Sequence, residues 1–204
     1  MAYGHYEGGL RELIHLLKYN GVRPAAKVLG GLLAEAMAAL EPVTEQLTLE
    51  RPKILVVPVP LYKKKLRQRG FNQAEMIART ALEFRPASEG WQLAPNILLR
   101  TRDTESQIGL SSHQRRANLR GAFAVNRATE VTGGMVLLVD DVYTTGSTAT
   151  ECAKVLRRAG ASTVWVATVA RTLKLASNYE PLGTGDEDTV APAGEEVLAN
   201  AVEG

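Results

Sequence analysis

Residues 136–148 read Val-Leu-Leu-Val-Asp-Asp-Val-Tyr-Thr-Thr-Gly-Ser-Thr, and few local structures accommodate that order. Val136 to Val139 offer no polar face to water, so they predict a short strand buried on both sides. Two adjacent carboxylates, Asp140 and Asp141, stand at its C-terminal end. Tyr143, Thr144, Thr145, Gly146, Ser147 and Thr148 then form a hydroxyl-rich turn, and a helical pattern follows. Turn amides and a helix N-terminus attract phosphate. Paired carboxylates hold ribose hydroxyls, directly or through a divalent cation. Two neighbouring acids repel each other, and a purely structural turn has no need of them. A sugar phosphate is therefore the ligand class this segment suits.

The rest of the chain alternates helical and strand patterns. Leu10, Leu13, Ile14 and Leu17 recur at helical spacing within residues 8–19. Gly21 breaks that helix and Pro24 opens a second, with Leu29, Leu32, Leu33, Ala36, Met37 and Leu40 on one face. Lys53 to Val59 reads as a strand, and Lys63 to Arg69 as a basic turn or loop. Asn72, with Glu75 three residues on, starts a helix in the manner of a capping box. Residues 85–95 read as a loop, Asn96 to Arg100 as a short strand, 101–110 as an exposed loop, and 111–119 as a short helix. Further strands are expected at 121–125, 135–139 and 162–170, with a turn near Gly133-Gly134 and a helix at 148–159. Alternation with continuously apolar strands predicts an α/β fold with a mostly parallel central sheet flanked by helices. Ligands in such sheets bind beyond the carboxyl ends of the strands.

The basic segment begins at such an end. Pro60 and Leu61 are followed by Lys63, Lys64, Lys65, Arg67 and Arg69, so five of the seven residues 63–69 are cationic. Cations at this density suit a multiply charged anion, whether pyrophosphate or a polynucleotide backbone.

The segment 136–148 resembles the phosphoribosyl pyrophosphate (PRPP) motif of type I phosphoribosyltransferases. Val57-Pro-Val-Pro-Leu61, Arg69-Gly-Phe-Asn-Gln73, Arg102, Thr104, Gln107, Leu110, Arg115, Arg116, Asn118, Ala122-Phe123 and Val169-Ala-Arg171 accompany it in order. Together they resemble the ComF/GntX family of phosphoribosyltransferase-like proteins over roughly residues 6–171. The resemblance implies a type I phosphoribosyltransferase-like fold with a small N-terminal helical hood. It implies that Asp140 and Asp141 orient the ribose and meet Mg2+ together with the substrate, as the catalytic pair. Tyr143 to Thr148 would grip the 5′-phosphate. Pro60, Leu61, Lys63, Lys64, Lys65, Arg67 and Arg69 would face pyrophosphate. Arg102, Gln107 and Arg116 would belong to a flexible loop that closes over the site.

The same resemblance leaves three functional readings open. One is Mg2+-dependent transfer of ribosyl 5-phosphate from PRPP to an unidentified acceptor, releasing pyrophosphate. Another is PRPP binding without turnover, in a regulator or adaptor. A third is the handling of single-stranded DNA beside competence proteins. Family members commonly begin with a four-cysteine zinc module whose cysteines this sequence lacks, so no zinc is expected. The superfamily's frequent dimers leave a homodimer open.

Charge divides the chain. Residues 172–204 hold seven acids and one base, a net charge of −6, which leaves +8 on the remainder of a chain whose total is +2. A basic body fits a polyanionic ligand. The acidic segment is poor in hydrophobic periodicity and is expected to be a disordered tail. The resulting organisation is a hood region at 1–50, a core at 51–171 and a tail at 172–204. The single cysteine, Cys152, excludes an intrachain disulfide and reads as a small buried hydrophobe. Neither a secretory pattern nor an apolar run of membrane-spanning length is present, so a cytoplasmic protein without membrane insertion is expected.

Overall fold

The computed structural model describes residues 1–40, 53–85, 90–104 and 112–172. The connector at 41–52 and the acidic segment 174–204 lie outside the described residues. Five parallel strands form the main sheet: β1 (Ala2–His5), β2 (Ile54–Pro58), β3 (Trp91–Leu93), β6 (Met135–Tyr143) and β7 (Thr163–Arg171). Their spatial order is β1-β7-β6-β2-β3. β4 (Leu98–Arg100) and β5 (Phe123–Val125) pair antiparallel in a small second sheet.

The continuous apolar runs are explained by burial on both faces. Side chains alternate across a strand. Ile54 and Val56 of β2, with Leu137 and Val139 of β6, point into one core. Leu55 and Val57, with Val136 and Leu138, point into the other. The first core is closed by helices α1 (Gly8–Asn20), α2 (Ala25–Ala38) and α4 (Gln73–Glu83). The second is closed by α7 (Ser147–Arg158), by the small sheet and by the end of α5 (Ser112–Leu119). Cys152 on α7 is fully buried there, as expected of a small hydrophobe, and burial pushes its thiol well above the ordinary range.

Two helices lie unusually close because of one glycine. A Cβ at Gly30 on α2 would stand 2.7 Å from Cβ and Cγ2 of Thr80 on α4. Only hydrogen fits at that contact. The N-terminal segment thus shares the main core: α2 packs on α4, and β1 extends the sheet beside β7.

Several local readings are corrected. The basic segment is a helix, α3 (Lys63–Arg69), ended by Gly70 at φ 78°, where left-handed backbone suits glycine. Residues 85–95 contain strand β3, which pairs with β2 through Ile54↔Trp91. A four-residue helix, α6 (Ala128–Val131), precedes the Gly133-Gly134 turn. β6 continues through Tyr143, so the acid pair lies within the strand. Asn72 caps α4 as expected, its Oδ1 accepting the Ala74 N–H at 3.1 Å, whereas Glu75 turns outward to Arg79 at 3.0 Å.

The topology places the site. From β2 the chain moves outward to β3, and from β6 it moves outward the other way to β7. The crevice between the C-terminal ends of β2 and β6 is therefore the switch point of the sheet, where open α/β folds bind ligands. Pro58 is in register with Val139, and the Val59 N–H donates to the Val139 carbonyl at 2.8 Å. That bond holds Pro60 and Leu61 beside Asp140.

Candidate functional site

A cavity of about 290 Å³ opens at this switch point. Asp140, Asp141, Pro60, Leu61, Thr144 and Thr148 line it. Five cations also line it: Lys18, Lys65, Arg69, Arg100 and Arg115. Five positive side chains around two carboxylates create a site for a ligand with several negative charges.

The helical form of residues 63–69 sorts the basic cluster. Lys65 and Arg69 are four residues apart, so they share one face and both reach the cavity. Lys63, Lys64 and Arg67 point elsewhere and are exposed. Arg69 donates to the Gln73 side chain and lies over the Tyr19 ring at 5.8 Å. Burial lowers the Lys65 pKa, and the charges of Arg69, Arg100 and Lys18 lower it further.

The acid pair is held by local and long-range contacts. Asp140 Oδ1 accepts the Asp141 N–H at 2.9 Å. Lys18, from the last turn of α1, reaches Asp141 Oδ2 at 2.9 Å. Burial, and then the neighbouring Asp141 charge, push Asp140 up to about 7. Lys18, the Asp141 N–H and Arg100 oppose that rise. Burial disfavours the Lys18 ammonium, but its pairing with Asp141 and the Asp140 charge outweigh this and raise its pKa.

The hydroxyl turn closes on itself. Gly146 adopts φ 76° as the N-cap of α7. Thr145 Oγ1 and Ser147 Oγ lie 2.9 Å apart in a hydrogen bond, and the Ser147 N–H points to Thr145 Oγ1 at 3.4 Å. Arg115 Nη1 meets Thr144 Oγ1 at 3.5 Å, joining α5 to the turn. A recess of about 20 Å³ under the turn is lined by Asp140, Tyr143, Gly146, Ser147, Thr148 and Thr168, among others.

The site residues read from sequence divide accordingly. Asp140, Asp141, Thr144, Thr148, Pro60, Leu61, Lys65 and Arg69 line the main cavity. Tyr143, Gly146 and Ser147 line the recess, while Thr145 braces the turn. Arg102 instead donates to the carbonyls of Asn118 and Arg120, at 2.9 and 3.0 Å. Gln107 and the side chain of Arg116 lie outside the described residues.

Lys18, Tyr19 and Arg100 were not singled out by sequence reasoning. Lys18 carried one usable signal: it follows the buried Leu17 and stands one turn after the buried Ile14, on the inward side of α1. No group of three or more metal-ligating side chains occurs among the described residues. Two carboxylates suit a divalent cation that takes its remaining oxygens from a phosphorylated ligand, which is the usual arrangement for Mg2+.

The chain is similar to several known proteins. The model of the phosphoribosyl transferase domain family matches residues 89–191. The chain is 36% identical over 169 residues to the DNA utilization protein YhgH of Escherichia coli O157:H7, covering 82% of this chain and 70% of that protein. It is 36% identical over 173 residues to competence protein F of Haemophilus influenzae, with the same shares covered. Among solved structures, it aligns with the allosteric regulatory enzyme of purine biosynthesis at 23% identity and a TM-score of 0.39, covering 72% of this chain and 26% of that one. With the acid pair and hydroxyl turn together at the sheet's switch point, and with these relatives, the chain belongs to the ComF family of phosphoribosyltransferase-domain proteins.

Proposed function

We propose that this protein binds PRPP with Mg2+ and transfers its ribosyl 5-phosphate to an acceptor, releasing pyrophosphate. The reading rests on the cavity in which the acid pair, the hydroxyl turn and a crescent of cations converge. Asp140 and Asp141 hold the ribose hydroxyls. Thr144, Thr145, Ser147 and Thr148 take the 5′-phosphate at the start of α7, where the helix dipole favours an anion. Lys65 and Arg69, with Arg100 and Arg115, stabilise the negative charge that grows on departing pyrophosphate. Mg2+, entering with the substrate, would be held by Asp140 and Asp141 and would supply Lewis-acid polarisation. The protein's own contribution is positioning and fixed charge. Incubation with PRPP, Mg2+ and a panel of nucleophilic acceptors, assayed for pyrophosphate, tests the reading. Acceptor-dependent release supports transfer. Saturable binding without release from any acceptor leaves a PRPP-dependent regulator.

A second reading is favoured by the outward face of α3. Lys63, Lys64 and Arg67 are exposed and do not line the cavity. The names of the similar proteins refer to DNA utilization and competence. A role beside single-stranded DNA would use this basic face through phosphate contacts. Salt-sensitive binding of an oligonucleotide, lost on neutralising Lys63 and Lys64, supports that role. Binding insensitive to both salt and these substitutions contradicts it.

A further inference from the structure

We infer that Lys18 is a displaceable counter-ion of Asp141 that makes divalent metal enter the site with the phosphorylated ligand rather than before it. The inference rests on the proposed PRPP reading only for the identity of that ligand. The Lys18 ammonium lies 2.9 Å from Asp141 Oδ2, and the two side chains are 18% and 6% exposed. It is delivered by an anchored element, since Ile14 and Leu17 of the same helix are fully buried. Among the described residues, only Lys18 makes an ion pair with either carboxylate. Its ammonium therefore occupies a carboxylate oxygen that a divalent cation on the acid pair would need.

A metal on Asp141 and an ammonium on the same oxygen would stand a few ångströms apart with like charge, in a partly dehydrated pocket. Their repulsion excludes joint occupancy. Lysine has a flexible stem, so its head can leave while the helix stays in place. An adjoining cavity of about 410 Å³ receives it: Lys18 lines this space as well, with Tyr19, Asn20, Gln68 and Phe71. Lys65 and Arg69 line both cavities and resist the arrival of another positive charge. A metal ion alone must overcome the ion pair and that repulsion. A polyphosphate ligand removes both obstacles, because its negative charge neutralises Lys65 and Arg69 and attracts the released ammonium.

Mn2+ binding, followed by electron paramagnetic resonance without any PRPP, tests this at the metal itself. Lys18→Met is expected to bind Mn2+ at least about tenfold more tightly than the unaltered protein. The gain should vanish in Lys18→Met/Asp141→Asn. Equal affinities in folded Lys18→Met and the unaltered protein, or no bound Mn2+ in either, overturn the inference. Nitrogen-15 lysine resonances of the unaltered protein give a test that requires no variant to fold. The Lys18 ammonium signal should stay in place with Mg2+ alone and move with Mg2+ plus PRPP. Movement with Mg2+ alone, or a fixed signal while PRPP is seen to bind by calorimetry, overturns it. Failure of PRPP to bind at all would count against the ligand assignment and leave the Mn2+ comparison to decide the role of Lys18.

Discussion

Asp140 folds back to accept the backbone N–H of Asp141, its Oδ1 lying 2.9 Å from that nitrogen. Successive residues of a strand normally point to opposite faces. Here both acids line one cavity, and the Asp140 carboxylate bends toward its neighbour. The proximity is costly: Asp140 is pushed from 3.8 to about 7 by burial and then by the Asp141 charge.

That shift sets a pH dependence. The folded protein holds the Asp140 proton more tightly than the unfolded chain does. The resulting contribution to stability is full below about 4 and is lost as pH rises through about 7. Asp140→Asn is therefore expected to raise stability by on the order of 2 kcal/mol at pH 8, and by much less at pH 4. Urea unfolding at both pH values measures this. Binding that needs the ionised acid runs in the opposite sense and weakens as pH falls below about 7.

The basic helix separates two kinds of cation. Lys65→Ala and Arg69→Ala should each weaken pyrophosphate binding about tenfold, the typical worth of a charge-assisted contact. Lys63→Ala and Lys64→Ala should leave it within about twofold, since neither side chain lines the cavity. Competition of pyrophosphate against PRPP, measured calorimetrically, distinguishes the pairs.

Gly146 is a point where the turn tolerates no side chain. Its φ is 76°, and a Cβ there would stand 2.2 Å from the Tyr143 hydroxyl and 2.7 Å from the ring carbon bearing it. Gly146→Ala should cost about 1–2 kcal/mol of stability and weaken phosphate binding. Adding Tyr143→Ala should recover the steric part and leave the backbone part. A double-variant unfolding cycle separates them.

Gly30 makes a parallel case in the core. Gly30→Ala forces α2 away from Thr80 and should cost about 1–3 kcal/mol, as overpacking does. Ala at Gly31, where the nearest atom is a Phe84 ring carbon at 3.7 Å, should be tolerated. Thermal unfolding of the two variants side by side is the check.

What could be read from sequence was contiguous. The strand, acid pair, hydroxyl turn and helix at 136–158 follow from a local pattern in which hydrophobicity, turn chemistry and helix start agree. Cys152, the Asn72 cap and the apolar strands were legible for the same reason. The parts that were missed depend on distant contacts. β1 and β3 are short edge strands whose hydrogen-bond partners lie far along the chain, at β7 and β2. Residues 63–69 are dominated by charge, which suggested a loop, yet lysine and arginine are good helix formers and Gly70 supplies the stop. Arg100 joins the site only because β4 is packed against the same crevice, which no local pattern announces, and Lys18 offered no more than its place beside Ile14 and Leu17 on α1.

The central claim is that Asp140 and Asp141 form the ribose and metal end of a PRPP site. Isothermal titration of PRPP, with and without Mg2+, into the protein and into Asp140→Asn/Asp141→Asn tests it most directly. Mg2+-dependent binding that disappears in a folded double variant is the predicted result. Unchanged affinity in that variant, or no binding by the well-folded unaltered protein, would contradict it.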